Sequence, residues 1–128
     1  MKEDSTTDST LTLDDFFAGH PASRQIFDAL CIAIDSIGPA DLRVTKSQAV
    51  FRRTRAFAWA WIPGLYLHGK TAPLVLSISL RRRAESPRWK EIVEPAPGRF
   101  MHHLELNSPA EIDGDVLRWL KEAWEQAE

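Results

Sequence analysis

The chain has 128 residues, 44% hydrophobic and 27% charged, an ordinary globular composition at the size of one domain that can bury a core without disulfides or a structural metal. Its one cysteine, Cys31, excludes an intramolecular disulfide and fits a cytoplasmic protein; no apolar run of a signal peptide follows Met1, and the longest apolar stretch, residues 56–62, is too short to cross a bilayer. The net charge of −2 conceals an asymmetry: residues 43–99 carry twelve bases and three acids (+9), the flanks four bases and fifteen acids (−11).

Residues 1–10 are rich in Ser, Thr and Asp and read as a disordered tail ahead of a single domain over residues 11–128. Thr12 then suits an N-cap, with the carboxylate of Asp15 near the positive end of the helix dipole. A short helix over residues 13–18 follows, seated by Phe16 and Phe17 and stopped at Gly19. Pro21 suits the first turn of a second helix. Its stripe is Ile26, Phe27, Leu30, Cys31, Ile34 and Ile37, and Gly38-Pro39 ends it. Within that stripe Cys31 reads as a small buried hydrophobe, with a reactive thiol as the alternative.

From Asp41 the apolar period changes to two. Leu42 and Val44, then Val50 and Phe51, read as strands. Residues 56–62 alternate Phe57, Trp59 and Trp61 with Ala56, Ala58, Ala60 and Ile62, and the small face would let a helix approach closely. Pro63-Gly64 and Gly69-Lys70 read as turns around a short strand at residues 65–68. Residues 74–80 alternate cleanly, and the short links favour antiparallel hairpins.

Ser86-Pro87 reads as the start of one or two helical turns carrying Trp89, Ile92 and Val93, followed by a loop at residues 95–98 and a last strand over residues 100–106. Ser108, Pro109 and Glu111 form a capping box for a final helix with the stripe Ile112, Val116, Leu117, Leu120 and Trp124. Helices, then a meander, then a helix give an α+β fold. The expected architecture has two layers, a mostly antiparallel sheet of five or six strands packed against N- and C-terminal helices.

Residues Gly64-Leu65-Tyr66-Leu67-His68-Gly69-Lys70-Thr71 match the phosphate-loop pattern G-x-x-x-x-G-K-[ST]. That chemistry needs a loop opening a helix whose N–H groups face phosphate, whereas Ala72-Pro73 and a period-two run follow here, so the match is set aside. His102 and His103 are neighbours on a strand and point to opposite faces. With no cysteine pair and no H-E-x-x-H, neither a metal nor any other cofactor is expected. No serine sits in a nucleophile elbow, and no acid pair stands out.

Lys46-Ser47-Gln48 opens the basic region and suits either an anion cradle or a solvated strand edge protected by lysine. Arg81-Arg82-Arg83, with Trp59, Trp61, Trp89 and Tyr66 as stacking surfaces, is a weak nucleic-acid signal; aromatics alternating on a strand more often form core. The basic middle itself points either to an anionic partner or to basic strands pairing with acidic helices of the same domain.

Five stretches together resemble a bacterial family known only as a domain of unknown function, number 5655. They are Leu13-Asp14-Asp15-Phe16-Phe17, Val44-Thr45-Lys46-Ser47-Gln48, Phe57-Ala58-Trp59, Arg99-Phe100-Met101-His102-His103-Leu104-Glu105-Leu106 and Trp119-Leu120-Lys121-Glu122-Ala123. The resemblance runs from about Leu13 to Ala127. It implies a compact α+β domain and brings no activity; its only hint of a site is the Lys46-Ser47 and His102-His103 elements.

The leading expectation is a non-enzymatic module for an anionic ligand, a small molecule or nucleic acid, held by Lys46, Ser47, Arg53, Arg55 and His103 through charge-assisted hydrogen bonds. One alternative is an enzyme acting on a small anionic metabolite with His102 or His103 as acid and base. Another is a protein-interaction module, monomeric or a homodimer through a sheet edge or exposed Trp. No membrane partner is expected.

Overall fold

The computed structural model describes residues 11–128, so the expectation for residues 1–10 lies outside the described residues. Helix α1, Leu13–Phe16, begins where Thr12 Oγ1 accepts the Asp15 backbone N–H at 3.0 Å. Phe16 and Phe17 are buried edge to face at 4.8 Å. The aromatic contact continues from Phe17 to Phe27 and from Phe27 to Phe51, tying both N-terminal helices to the sheet.

Helix α2, Pro21–Ile37, buries Ile26, Phe27, Leu30 and Ile34 along the expected stripe. Gly38 ends it at a close approach: a Cβ there would overlap the indole of Trp124, whose Nε1 donates to the Pro39 carbonyl at 2.9 Å. Cys31 packs half-buried against the core, and burial pushes its thiol up to about 11, which keeps it protonated and unreactive at neutral pH.

Six strands follow: β1 (Asp41–Val44), β2 (Ala49–Arg52), β3 (Ala56–Trp61), β4 (Leu74–Leu80), β5 (Trp89–Ala96) and β6 (Arg99–Leu106). They form one antiparallel sheet in the order β1-β2-β3-β4-β6-β5. Helix α3, Gly114–Gln126, packs with α2 on one face, over Ala58, Ala60, Leu76, Ile78 and Leu104. The other face carries the row Arg43, Val50, Trp59, Ser77, His103 and Glu91, one residue from each strand. The fold is α+β in two layers.

Four local expectations are corrected. Residues 65–68 are not a strand: Pro63–Leu65 form a 3-10 turn, and β3 pairs directly with β4, which leaves no partner for a strand between them. Residues after Ser86-Pro87 are not helical but form β5, paired along β6. Register shifts between Trp89 and Glu91 and between Val93 and Ala96 break the period-two pattern of β5, and an edge position tolerates Pro95 inside the second shift.

Phe57 does not share the face of Trp59 and Trp61. A shift between Phe51 and Arg52 sets two steps of β3 against one of β2, and Phe57 and Ala58 are consecutive buried residues of the core. The final helix does not start at Ser108, which makes no side-chain cap; Pro109–Glu111 is a separate 3-10 turn. Asp113 caps α3 instead, accepting the Val116 N–H at 3.3 Å, while Glu111 takes the Asn107 N–H at 2.7 Å.

The charge asymmetry is met in part within the domain. Arg82 forks onto Glu122 with two bonds of 2.9 Å, and Arg88 grips the capping carboxylate of Asp113 at 2.8 and 3.0 Å. These bridges join basic loops of the sheet to the acidic last helix.

Candidate functional site

The five residues singled out from the sequence fall in three places. Lys46 and Ser47 lie in the β1–β2 turn, Arg53 and Arg55 in the β2–β3 turn at the opposite end of β2, and His103 in the middle of β6. Ser47 and His103 are connected across one side of the sheet. The Tyr66 hydroxyl donates to the Ser47 carbonyl at 3.4 Å, and its ring lies 6.4 Å from Trp61. Trp61 Nε1 donates to Ser77 Oγ at 3.1 Å, and Ser77 Oγ meets His103 Nδ1 at 2.7 Å. Arg53 is engaged elsewhere, stacked over the Trp124 ring at 3.6 Å and donating to the Trp124 carbonyl.

The adjacent histidines do different work. His102 is fully buried, and its Nε2 accepts the Ala84 N–H at 2.9 Å, so Nδ1 carries the proton and donates to the Phe100 carbonyl at 3.1 Å. Burial holds its pKa below the ordinary imidazole value, and Trp89 covers its ring at 4.8 Å. It is a satisfied core group. His103 is also pushed down by burial, opposed by the Glu91 carboxylate and reinforced by Lys90. Trp61 can only donate to Ser77, and the Ser77 hydroxyl has no other acceptor among the described residues, so it donates to Nδ1 of a neutral His103. The proton of that imidazole then sits on Nε2.

A hydroxyl beside an imidazole invites comparison with a nucleophile and its base. Ser77 is only 3% exposed and sits mid-strand between two paired neighbours, β3 and β6. The ladders consume the backbone amides that would otherwise stabilise an oxyanion. The pair acts as a polar link under the aromatic side chains.

A different cluster forms at the end of the sheet where β3 starts, β4 ends and β6 starts. Because these three strands are antiparallel neighbours, Arg55, Arg81 and Arg99, each at a strand end, converge there. They line a cavity of about 360 Å3 together with Phe57, Ser79 and Gln126, and no carboxylate lines it. The Arg81 backbone N–H and Nη2 both bond Gln126, at 3.0 and 3.1 Å, which commits that guanidinium to the last turn of α3. The Arg55 and Arg99 side chains are exposed and make no hydrogen bond or ion pair with the described residues.

Sequence reasoning named Arg55 but missed Arg81 and Arg99 as its companions. The available signal was that each arginine abuts a strand end; the missing fact was that β6 inserts beside β4. The triple arginine itself is divided among separate tasks: Arg81 on Gln126, Arg82 on Glu122, and Arg83 over the Phe100 ring at 5.9 Å. The phosphate-loop match at residues 64–71 runs through a 3-10 turn and bends into β4, with no helix behind it. Among the described residues, no group of three or more His, Cys, Asp or Glu is placed to share a metal ion, and no helix is long and apolar enough to cross a membrane.

No curated protein and no solved structure matches the chain. The sequence profile described as "Domain of unknown function (DUF5655)" matches residues 13–127, all but the first twelve residues and the last, and the chain belongs to that family.

Proposed function

We propose that this domain is a binding module for an anionic ligand, seated in the cavity of Arg55, Arg81 and Arg99. The observation that carries the reading is that three arginines line a concave site to which no acid contributes. Guanidinium forks bind oxyanions through paired, charge-assisted hydrogen bonds, and rigid strand ends hold them in place. Of the residues proposed from the sequence, Arg55 belongs to this cavity. Lys46, Ser47 and His103 do not line it and would supply a second polar surface elsewhere on the sheet. The setting we take is a bacterial cytoplasm, in keeping with the half-buried, unpaired Cys31.

A ligand that binds only the folded state raises the melting temperature by mass action, by about 2.7 kcal/mol of stability at a hundredfold excess over Kd. Thermal unfolding in low salt against a panel of phosphates, carboxylates, nucleotides and oligonucleotides tests the reading. The expected result is a shift with an anion class that disappears in Arg55→Gln and Arg99→Gln.

A second reading, an enzyme with His103 as acid and base, is favoured by the Ser77–His103 hydrogen bond alone. Activity on a small anion that His103→Gln abolishes while binding persists would support it. An interaction module rests on the helix-free sheet face of Trp59, Trp61 and Val50. Light scattering tests its homodimeric form, and a strictly monomeric protein at high concentration counts against that form.

A further inference from the structure

We infer that the anion taken by the arginine cavity is a single dianionic phosphate monoester bearing a small organic group, not a nucleic-acid backbone. This rests on the reading of the cavity as an anion site. It follows from which basic side chains are left to bind. Arg52 donates to the Thr54 carbonyl, Arg53 stacks on Trp124, Arg81 holds Gln126, Arg82 holds Glu122, Arg83 covers Phe100 and Arg88 holds Asp113. Near this end of the sheet Arg55 and Arg99 are the two guanidiniums without a partner among the described residues.

A nucleic-acid groove needs a path of cations that tracks successive phosphates, and binding of that kind rests on many such contacts. Two unengaged guanidiniums at one point cannot supply a path. They match one dianion, the state of a phosphate monoester above its second pKa of about 6. Two planar forks can each take two oxygens of one tetrahedral group. Ala56, Phe57 and Pro97 add apolar wall, which accommodates a carbon skeleton better than a second phosphate. The volume lies at the small end of the roughly 300–1,000 Å3 spanned by small-molecule pockets.

The test is titration calorimetry of the whole chain with phenyl phosphate, phenyl sulfate and a twelve-residue oligothymidylate in low salt. The sulfate ester keeps the shape of the phosphate but carries one charge. Phenyl phosphate is expected to bind, at least about tenfold tighter than phenyl sulfate, and to lose at least about tenfold in Arg55→Gln and in Arg99→Gln, the worth of one charged hydrogen bond. Its affinity should also fall between pH 7 and pH 5 as the second proton returns. Arg43→Gln, a basic change on β1, should leave binding intact, and unchanged melting temperatures confirm that the variants fold. Oligothymidylate binding more tightly than phenyl phosphate, lost in both variants, would overturn the monoester inference and leave the anion site standing. Equal binding of the sulfate would overturn the dianion. No binding of any of the three, or binding indifferent to both arginines, would remove the site itself.

Discussion

The guanidinium of Arg53 lies 3.6 Å from the centroid of the Trp124 ring, and its Nη1 donates to the carbonyl of the same residue at 3.2 Å. One side chain from the β2–β3 turn thus gives a second donor to a carbonyl of the last turn of α3, which also accepts the Ala127 N–H, and stacks on the indole beside it. Arg53→Ala should cost about 1–3 kcal/mol in urea unfolding, from the lost cation–π contact and charged hydrogen bond. Arg53→Lys keeps the charge but not the planar fork, so it should recover less than half of that loss. A lysine variant as stable as the parent would mean that the stacking contributes nothing.

Gly38 and Trp124 occupy the same space from opposite sides. Gly38→Ala forces the indole to move and should destabilise by about 1–3 kcal/mol, the usual cost of overpacking. In a Trp124→Ala background the same change should cost much less, so the two substitutions should be strongly non-additive. Additivity in chemical denaturation would refute the close approach.

The start of α3 is set by Asp113 and not by Ser108. Asp113→Ala should cost about 0.5–2 kcal/mol for the cap, with the loss of the Arg88 bridge adding to it. Ser108→Ala should stay within about 0.5 kcal/mol, as at a site without such a feature. Reversed magnitudes in thermal unfolding would restore the capping box.

Stability should fall on mild acidification. Burial sets the folded pKa of His102 and of His103 below the unfolded imidazole value of 6.5. The unfolded chain therefore binds protons first. The stabilisation is complete above that value and is lost as pH falls through it towards the folded pKa values, by at most about 1.4 kcal/mol per pH unit per histidine. Asp113 and Glu122 act lower down. The hydrogen bonds from Arg88 and Arg82 depress their pKa values, so their contribution persists above the unfolded carboxylate range and is lost as pH falls through the folded values. Urea midpoints between pH 8 and pH 5 should decline in the parent and decline less in His102→Leu. That variant should itself be weaker throughout, because the Ala84 N–H is left unpaired. A flat profile in the parent would show that the imidazoles titrate alike folded and unfolded.

The long stripe of α2 and the clean alternation of β4 were legible because a single period governs each over several turns or residues. β5 was not, since two register shifts scramble its period and Ser86-Pro87 imitates a helix start. The bulge at Phe57 misled in the same way, through one extra residue that no periodicity announces. Arg55 could be picked out as a basic residue beside a strand. Its union with Arg81 and Arg99 depended on strand order, because β6 reaches β4 only by passing inside β5. The role of Arg53 was hidden for a similar reason: its partner lies far along the chain, on the last helix.

The arginines that grip α3 also govern when the domain can be complete during synthesis. Arg53, Arg81, Arg82 and Arg88 all emerge from the ribosome before Trp124, Gln126, Glu122 and Asp113, the residues that receive them. Until then the helix-facing side of β3 and β4 lacks the part of its cover that α3 supplies, and the basic turns lack the partners on which they close. Contacts so distant in sequence delay folding, because the loops between them must be closed first. The nascent chain thus carries a partly uncovered apolar sheet until α3 is released, and the native packing of that face is completed only then.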